Sequence, residues 1–268
     1  MARVNDPMKS VLCCSGLDPG GGAGIHADIQ AISHAQVHPL ALVTALTVQD
    51  TCDVSALHPV EVPVLDRQLA ALRADIPIHA IKVGLLGSLE QIDWLARCLS
   101  GWSLPSVLDP VLRAGGGTDL VAQQTEVQMK TLMFPHCTVI TPNAAEARRL
   151  SGCEDLDQAG NRLLEMGPAH VLITGGDEST PFVQNRWYRR QHSPHVFSWD
   201  RLPGRYHGAG CTLAAAIAAQ LALGQPVEDA LFRGQQFAFN ALQNAFAVGR
   251  GRWIPGRAAV HQKPGLAP

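Results

Sequence analysis

Charged and aromatic residues are scarce in this sequence. Of its 268 residues, 16% are charged and 5% are aromatic, and the formal net charge is -2. This balance, without a basic stripe or a block of like charge, excludes the usual electrostatic signature of a nucleic-acid-binding protein. A long apolar run is also missing, because the stretch from Leu213 to Leu223 is interrupted by Gln220 and is too short to span a bilayer. We therefore expect no nucleic acid and no membrane among its partners.

Cysteine pairs with C-x-x-C spacing are absent as well. The seven cysteines form an odd set, which argues against a disulfide framework and against a cysteine-rich zinc site. The N-terminal residues lead directly into a short apolar run, Val11 to Cys14, and show no signal-peptide pattern. These features predict a protein of the reducing cytoplasm.

The sequence does contain a series of short apolar runs bounded by glycine or proline. Each is typical of a buried strand, and most are separated by stretches in which apolar residues have helical spacing. The predicted strands are Val11 to Ser15, Leu40 to Thr47, Ala80 to Gly84, Ser106 to Leu108, Thr138 to Thr141 and His170 to Thr174. The alternation predicts an α/β fold of three layers, a mostly parallel central sheet with helices on both faces.

The last third of the chain completes this predicted fold. Polar alternation in Val183 to Tyr188 and in His195 to Trp199 predicts an antiparallel pair at one edge of the sheet. Two closing helices are expected at about Gly210 to Leu223 and Val227 to Ala247.

No linker, repeat or low-complexity tract divides the chain. We therefore expect a single domain over residues 1–268. Its two ends, residues 1–9 and 256–268, are expected to be flexible.

Glycine-rich strand-to-helix junctions are candidate sites, because ligands of open parallel sheets bind beyond the carboxyl ends of the strands. The first junction runs from Ser15 to Asp28 and contains G-G-G-A-G. It lacks the G-K-[ST] ending of a P-loop, and Ile25 occupies the position of the last glycine in a dinucleotide-binding loop. We give equal weight to two interpretations of this junction, a ligand-binding loop and a tight turn before a helix. The side chain of Asp28 could face the pocket or the solvent.

The second junction, His207 to Thr212, opens an alanine-rich helix. Free backbone amides and the positive end of the helix dipole make such a helix start an anion site, suited to a phosphoryl group. A thiol in this first turn should have a lowered pKa, so Cys211 is a candidate base or nucleophile. The alternative is a small cysteine that packs beneath alanines, which is our interpretation of the other six cysteines.

Acidic and amide side chains mark two further junctions. Asp109 ends a short apolar strand, and Asn143 and Glu146 are three residues apart at a predicted helix start. The latter pair could bind magnesium through water or form a capping box, and both interpretations can hold together. His34 and His38 have metal-ligand spacing but lack a third ligand, so we interpret them as surface histidines.

These four junctions, in this order, resemble the ribokinase-like superfamily, in which a G-A-G-D motif begins the anion-binding helix and an N-x-x-E motif serves magnesium and phosphate. In this sequence Cys211 replaces the final Asp. That departure resembles the vitamin-kinase branch, namely hydroxymethylpyrimidine/phosphomethylpyrimidine kinases of thiamine biosynthesis and a related group of pyridoxal kinases. The resemblance extends from Val11 to about Asn244, and its most specific motifs are Gly20 to Asp28, Thr44 to Thr51, Lys82 to Leu86 and His207 to Leu213.

The resemblance implies a kinase site that uses all four junctions. The residues implied for an aminopyrimidine substrate are Gly16, Asp28, Gln49 and Leu85. Cys211 would accept the proton of the substrate hydroxyl, and the turn Gly208-Ala209-Gly210 with the Cys211 amide would cradle the moving phosphoryl group. The residues implied for ATP are Asp109, Asn143, Glu146, Thr174 and Gly176, of which Asp109 and Glu146 would hold Mg²⁺ through water.

Two positions depart from the family pattern. Related kinases commonly have lysine at the positions of Thr174 and Gly115, and a cation near the phosphates stabilises the transition state. Either Arg113 or another basic residue replaces these lysines, or the second phosphorylation is weak. Arg113 lies in the segment Arg113 to Thr118, which could be a lid or a plain solvent loop.

The expected function is the ATP- and Mg²⁺-dependent phosphorylation of 4-amino-5-hydroxymethyl-2-methylpyrimidine and then of its monophosphate. The alternatives are a pyridoxal kinase and, in another class, a catalytically weakened pyrimidine-binding sensor. The resemblance also implies a homodimer. The segment Gly249 to Pro255 could fold over the nucleotide or dock on a neighbouring molecule.

Overall fold

Residues 7–112 and 123–257 are described by the computed structural model. The segment Arg113 to Thr118, with Gly115, lies outside the described residues, as do residues 1–6 and 258–268 of the two predicted flexible ends. The predicted boundary of the C-terminal tail at 256 is wrong, because Arg257 is 1% exposed and its guanidinium is hydrogen-bonded inside the molecule. The packed part of the chain therefore continues at least to Arg257.

The strands in the described residues form one nine-stranded sheet. They are β1 Ser10–Leu17, β2 His38–Gln49, β3 Val54–Pro59, β4 Ala80–Val83, β5 Ser106–Leu108, β6 Val139–Ile140, β7 His170–Ile173, β8 Phe182–Arg189 and β9 His195–Asp200. Their order across the sheet is β3-β2-β1-β4-β5-β6-β7-β8-β9. In this order, the five pairings that lead from β2 through β1, β4, β5 and β6 to β7 are all parallel. This confirms the predicted, mostly parallel sheet. The predicted β8–β9 edge is antiparallel, and β3 adds a second antiparallel edge that was not predicted.

The helices of the described residues cover both faces of this sheet. They are α1 Gly24–His34, α2 Val62–Asp75, α3 Leu89–Ser100, α4 Gln123–Gln128, α5 Ala144–Ser151, α6 Leu156–Glu165, α7 Ala209–Ala222 and α8 Val227–Gln243. A π-helical turn at Met129–Met133 and a 3-10 turn at Phe134–His136 follow α4.

Two buried apolar clusters divide the helices into two layers. One cluster takes residues from α2, α3, α5 and α6, and the other takes residues from α1, α7 and α8. Successive residues of β1 alternate between them, with Leu12 and Cys14 in the first and Val11 and Cys13 in the second. A strand buried on both faces requires this alternation, and the predicted three-layer fold is confirmed.

Helix α7 packs tightly because its side chains are small. Residues 212–219 are all buried, and a Cβ placed on Gly234 of α8 would lie 2.5 Å from Ile217 Cγ1. The helix also contacts β1, β4 and β5. Its N-terminus is thereby held against the carboxyl ends of these strands.

The two histidines with metal-ligand spacing lie at the surface. His34 ends α1 and His38 begins β2, and both are exposed. Across residues 7–112 and 123–257, no group of three or more His, Cys, Asp or Glu side chains is arranged to hold a metal ion. The helices of the same two ranges are too short or too polar to cross a membrane.

Candidate active site

The first three predicted junctions converge at the carboxyl edge of the parallel strands. A Cβ placed on Gly22, in the loop after β1, would lie 2.3 Å from His207 Cδ2. A Cβ placed on Gly210, at the start of α7, would lie 3.5 Å from Oδ2 of Asp109, which follows β5. The glycines allow these segments to approach closely. The three junctions therefore lie at one candidate site.

A buried ion pair lies beneath this convergence. Lys82 Nζ is 2.9 Å from Asp28 Oδ1 and 3.0 Å from Asp28 Oδ2, and neither side chain is exposed. Ser15 Oγ donates to Asp28 Oδ2 at 2.6 Å and accepts from Lys82 Nζ at 3.0 Å. The close pairing is needed because an isolated buried charge is strongly destabilising. A Cβ placed on Gly84 would lie 2.6 Å from Lys82 Nζ, so the glycine leaves room for the ammonium group.

The ion pair gives Asp28 partners that sequence reasoning did not predict. The resemblance implied that Asp28 contacts the aminopyrimidine, and that contact stays a prediction; in the structure its carboxylate has no exposed surface and is paired with Lys82 and Ser15. Asp28 therefore orients the Lys82 ammonium. Sequence reasoning assigned no role to Lys82, although a lysine within a short apolar strand was the signal that could have identified it.

Lys82, Asp109 and Cys211 form one electrostatic group. Burial lowers the pKa of Lys82, but the nearby groups Asp28, Cys211 and Asp109 outweigh it and raise that pKa above its ordinary value. Burial raises the pKa of the Asp109 carboxyl, which the Lys82 ammonium and a hydrogen bond with Cys211 partly offset. The ammonium is thus a fixed positive charge beside two groups that can hold a proton.

The predicted lowering of the Cys211 pKa is wrong. Burial raises the pKa of this thiol to about 12, and the carboxylates of Asp109 and Asp28 act in the same direction. The Lys82 ammonium and the N–H of Gly24 lower the pKa but do not compensate. The helix position alone could not reveal the burial or the two carboxylates. A protonated thiol argues against a nucleophile that is already a thiolate before substrate binds.

The start of α7 has the backbone geometry of an anion site. The helix begins at Ala209, one residue before the predicted start, and its N-cap is Gly208 with φ 84° and ψ 19°. This left-handed conformation favours glycine. No described side chain caps the helix start, so the first amides, including those of Gly210 and Cys211, are available to a ligand.

Asp18 and His207 link the loop after β1 to the loop before α7. Asp18 accepts hydrogen bonds from the amides of Gly20, Gly22 and Ala23 at 2.8, 2.9 and 2.9 Å. Its Oδ2 atom is also 2.8 Å from His207 Nε2. The two loops are therefore joined through a single carboxylate.

Gln49 extends this link toward β2. Its Nε2 atom lies 3.4 Å from His207 Nε2. Burial raises the pKa of Asp18, but hydrogen bonds from His207 and Gln49 outweigh burial and lower that pKa to about 2. Sequence reasoning missed Asp18 and His207 as partners because 189 positions separate them. An Asp directly before glycines is typical of a side chain that accepts from the amides that follow it, and this signal could have identified Asp18.

Gly16 and Leu85 form one wall of the predicted substrate site. Gly16 is buried, and a Cβ placed on it would lie 3.0 Å from Leu85 Cδ2. Gly24 has φ +56°, and a Cβ on it would lie 2.1 Å from Gly16 O, so both glycines permit a close approach. The structure brings Gly16 and Leu85 together and places Gln49 beside His207. Their contacts with a pyrimidine stay predictions.

Asn143 and Glu146 form the capping box that the sequence offered as one interpretation. The Glu146 amide donates to Asn143 Oδ1 at 2.8 Å, and the Asn143 amide donates to Glu146 Oε2 at 3.0 Å. Asp177, which the sequence did not single out, accepts from the first two amides of α5 at 3.3 and 3.0 Å. Burial raises the pKa of Glu146 to about 8, and repulsion from Asp109 and Asp177 acts in the same direction.

The loop with Thr174 and Gly176 lies beside the start of α5. Thr174 forms an isolated bridge with Asn143. Arg201 donates to Gly176 O at 2.9 Å and to Gly175 O at 3.4 Å. The structure therefore brings the predicted nucleotide residues Asn143, Thr174 and Gly176 together. It also places a guanidinium, which sequence reasoning missed, on this loop.

Asp109 and Glu146 fit a divalent cation. Burial raises the pKa of each carboxyl, and a neighbouring carboxylate adds to the effect, Asp28 for Asp109 and Asp109 for Glu146. A cation between these groups would relieve that repulsion. Mg²⁺ favours oxygen ligands, keeps several waters and needs only one or two carboxylates besides the substrate phosphates.

Comparison with known proteins identifies the family of the chain. A family model described as phosphomethylpyrimidine kinase matches residues 18–255. The chain belongs to the phosphomethylpyrimidine kinase family. The hydroxymethylpyrimidine/phosphomethylpyrimidine kinase of Synechococcus elongatus is 33% identical over 90% of this chain and 94% of its own length. The thiamine biosynthesis bifunctional protein ThiED of Geobacter sulfurreducens is 36% identical over 93% of this chain, which spans 52% of that longer protein.

The fold of this phosphomethylpyrimidine kinase family member is shared with solved kinase structures. The pyridoxal kinase of Staphylococcus aureus in complex with ADP matches with a TM-score of 0.87 and 27% identity, over 96% of each chain. The ribokinase-like fold expected from the resemblance is thereby confirmed. The family also confirms the prediction that the protein is an enzyme, a kinase.

Proposed function

We propose that this kinase transfers the terminal phosphoryl group of ATP to the hydroxymethyl group of 4-amino-5-hydroxymethyl-2-methylpyrimidine and then to the resulting monophosphate. The observation that carries the proposal is the convergence of Lys82, Asp109 and Cys211 beneath the free amides at the start of α7. The name of the Synechococcus relative supports the pyrimidine as substrate.

The moving phosphoryl group would bind to the amides of Ala209, Gly210 and Cys211. These amides lie at the positive end of α7, where an anion is stabilised. The Lys82 ammonium lies behind them and is held in place by Asp28. Charges that are oriented before the reaction stabilise the transition state of phosphoryl transfer, which needs positioning more than covalent chemistry.

Cys211 would contact the attacking hydroxyl group. Since the raised pKa keeps the thiol protonated at neutral pH, its Sγ atom can take up the hydroxyl proton only as it releases its own. Asp109, which hydrogen-bonds the thiol and would hold Mg²⁺ only through water, is the acceptor for that proton. In this scheme the hydroxyl O–H bond breaks, a new S–H bond forms, and the former thiol proton passes to the Asp109 carboxylate.

ATP would lie against the nucleotide residues on the far side of the α7 start. We assign to it Asn143, Glu146, Thr174 and Gly176, and the ADP in the S. aureus relative supports an adenine nucleotide. When bound, Mg²⁺ would neutralise charge on the phosphates. Asp109 and Glu146 would hold it through water.

Pyridoxal is a second candidate substrate. The TM-score of 0.87 to a pyridoxal kinase favours it, and pyridoxal, like the pyrimidine, carries a hydroxymethyl group on a six-membered aromatic nitrogen ring. The curated relatives named for pyrimidine kinases favour the first candidate.

A homodimer in the cytoplasm completes the proposal. Leu46 and Val48 of β2 are 48% and 51% exposed, next to the antiparallel edge strand β3. The two side chains are two positions apart and therefore lie on one face of β2, which is the contact surface that we propose for the second copy. All seven cysteines are free thiols, which favours a reducing compartment. Light scattering after gel filtration tests the dimer, which a mass near 28.6 kDa would contradict.

A coupled ADP-release assay tests the proposed substrates. Hydroxymethylpyrimidine, its monophosphate and pyridoxal are each supplied with ATP and Mg²⁺. We expect turnover with both pyrimidines and a lower kcat/KM with pyridoxal. A clear preference for pyridoxal would favour the second candidate, and pyrimidine binding by calorimetry without any ADP release would favour the sensor.

A further inference from the structure

Arg257 carries a buried guanidinium far along the chain from the groups that it contacts. The residue is 1% exposed. Nη2 donates to Gly22 O and, at 3.4 Å, to Gly208 O. Nε donates to Thr212 Oγ1 at 2.7 Å, and Nη1 donates to Gln30 Oε1 at 3.2 Å.

These acceptors belong to the two glycine-rich segments of the candidate active site. Gly22 lies in the loop after β1, whereas Gly208 caps α7. A Cβ placed on Gly208 would lie 2.0 Å from Gly22 O and 2.7 Å from Arg257 Nη2. One guanidinium thus fills the point where the two loops meet, and there is no space for a side chain at position 208.

The four acceptors of Arg257 are all uncharged oxygens. Among residues 7–112 and 123–257, no carboxylate forms a salt bridge with this guanidinium. Burial lowers the pKa of Arg257 to about 10, so the group is still charged at neutral pH. The carboxylates of Asp28 and Asp18 lie near enough to oppose that lowering, but each is hydrogen-bonded to other groups, so the guanidinium adds its positive charge where the two loops meet.

We propose that Arg257 is a positioning residue for phosphoryl transfer, which locks the loop after β1 onto the start of α7 and adds positive charge beneath the phosphoryl-binding amides. The planar fork of arginine can donate to both loops at once, which the single ammonium of lysine cannot do in the same geometry. The proposal rests on the proposed function for its catalytic consequence. The link between the two loops is independent of the substrate.

Arg257→Met and Arg257→Lys test the proposal, with Arg162→Met on the exposed face of α6 as the matched control. For Arg257→Met we expect kcat to fall about 100-fold, because small displacements of a catalytic loop have effects of this order, while KM for the pyrimidine changes less than about threefold. For Arg257→Lys we expect a loss of about tenfold. The control should match the wild type.

Amide hydrogen exchange measures the loop link without any substrate. In both Arg257 variants, exchange should accelerate in segments 18–24 and 207–212 but not in β5–β7. This readout also separates two failures: if the wild type phosphorylates none of the substrates, the proposed function fails, yet the exchange result still tests the link.

Unchanged kcat and unchanged exchange in a folded Arg257→Met protein would overturn the proposal. If that variant does not fold, Thr212→Val removes one acceptor, and we expect a loss of about tenfold in kcat with faster exchange at the same two segments. Wild-type kcat and exchange in both Thr212→Val and Arg257→Lys would then overturn it.

Discussion

The candidate site has two halves, one proposed for the phosphoryl acceptor and one proposed for the nucleotide, which we call the acceptor side and the nucleotide side. Different forces hold the two sides together. On the acceptor side, buried polar groups join distant segments, through the ion pair of Lys82 with Asp28 and the hydrogen bond between Asp18 and His207. On the nucleotide side, the capping box of Asn143 and Glu146 and an exposed Arg201 hold the loops.

This difference assigns different tasks to the two sides. Buried charge networks tolerate little displacement, because an unpaired buried charge is costly. The acceptor side is therefore suited to holding reacting atoms in fixed positions. The nucleotide side, built from caps and surface contacts, is suited to binding and releasing a nucleotide in each turnover. Changes on the acceptor side should lower kcat, whereas changes on the nucleotide side should raise KM for ATP.

The largest effect is expected for Lys82→Met. It leaves the Asp28 carboxylate buried without its partner, which should lower the free energy of unfolding by about 3 to 5 kcal/mol and reduce kcat about 1000-fold. The double variant Lys82→Met with Asp28→Asn is the matched control, since it removes the unpaired charge. Urea unfolding should show recovered stability in the double variant, while ADP release stays low. Recovery of activity together with stability would show that the pair is only structural.

Cys211→Ala should reduce kcat about 100-fold, the usual contribution of a proton-transfer group. Pyrimidine affinity, measured by calorimetry, should change little, because the thiol would contact only the reacting hydroxyl. Cys52→Ala, at an exposed cysteine, is the control. If Cys211→Ala turns over like the wild type, the thiol only packs there and another group accepts the proton.

Glu146→Gln separates the capping role of Glu146 from its proposed role in holding Mg²⁺. Glutamine can still complete the capping box, so stability should be retained, but it cannot supply the carboxylate that a bound cation would stabilise at Glu146. We expect KM for Mg²⁺-ATP to rise about tenfold and kcat to change less. A normal KM in a folded variant would limit Glu146 to its capping role.

The smallest effect is a pH dependence of stability. The pKa of Asp18 is about 2 in the folded protein, below its ordinary value of 3.8. A lowered folded-state pKa contributes stability above the ordinary value, about 2 kcal/mol here, and this contribution is lost as the pH falls through the folded value. Between pH 5 and pH 2, urea unfolding should therefore show a larger loss for the wild type than for Asp18→Asn. Parallel curves would contradict the link between Asp18 and His207.

Much of the fold could be predicted from the sequence. Buried parallel strands are short apolar runs, and in the helices between them the apolar residues recur with helical spacing. Ser106–Leu108 was predicted with its observed bounds. Strand β3 was not predicted, since its residues Val54–Pro59 are partly or fully exposed and mix polar with apolar side chains. An edge strand of this kind has no buried face to impose a pattern.

The candidate site was predictable where its interactions are local. Asn143 and Glu146 are three residues apart, so their capping box followed from spacing. The pairs that were missed join distant positions, 54 apart for Lys82 and Asp28 and 235 apart for Arg257 and Gly22. The predicted direction of the Cys211 pKa was wrong for the same reason, because the burial and the carboxylates that raise this pKa come from other segments of the chain.

The central claim is that the phosphoryl group of ATP moves at the start of α7 to a pyrimidine hydroxymethyl group. ³¹P NMR of a reaction with limiting hydroxymethylpyrimidine and excess Mg²⁺-ATP tests it most directly. We expect a phosphomonoester signal that is replaced by a diphosphate signal, with two ADP formed for each pyrimidine. A pyrimidine that stays unphosphorylated while the protein is folded and binds ATP would contradict the claim.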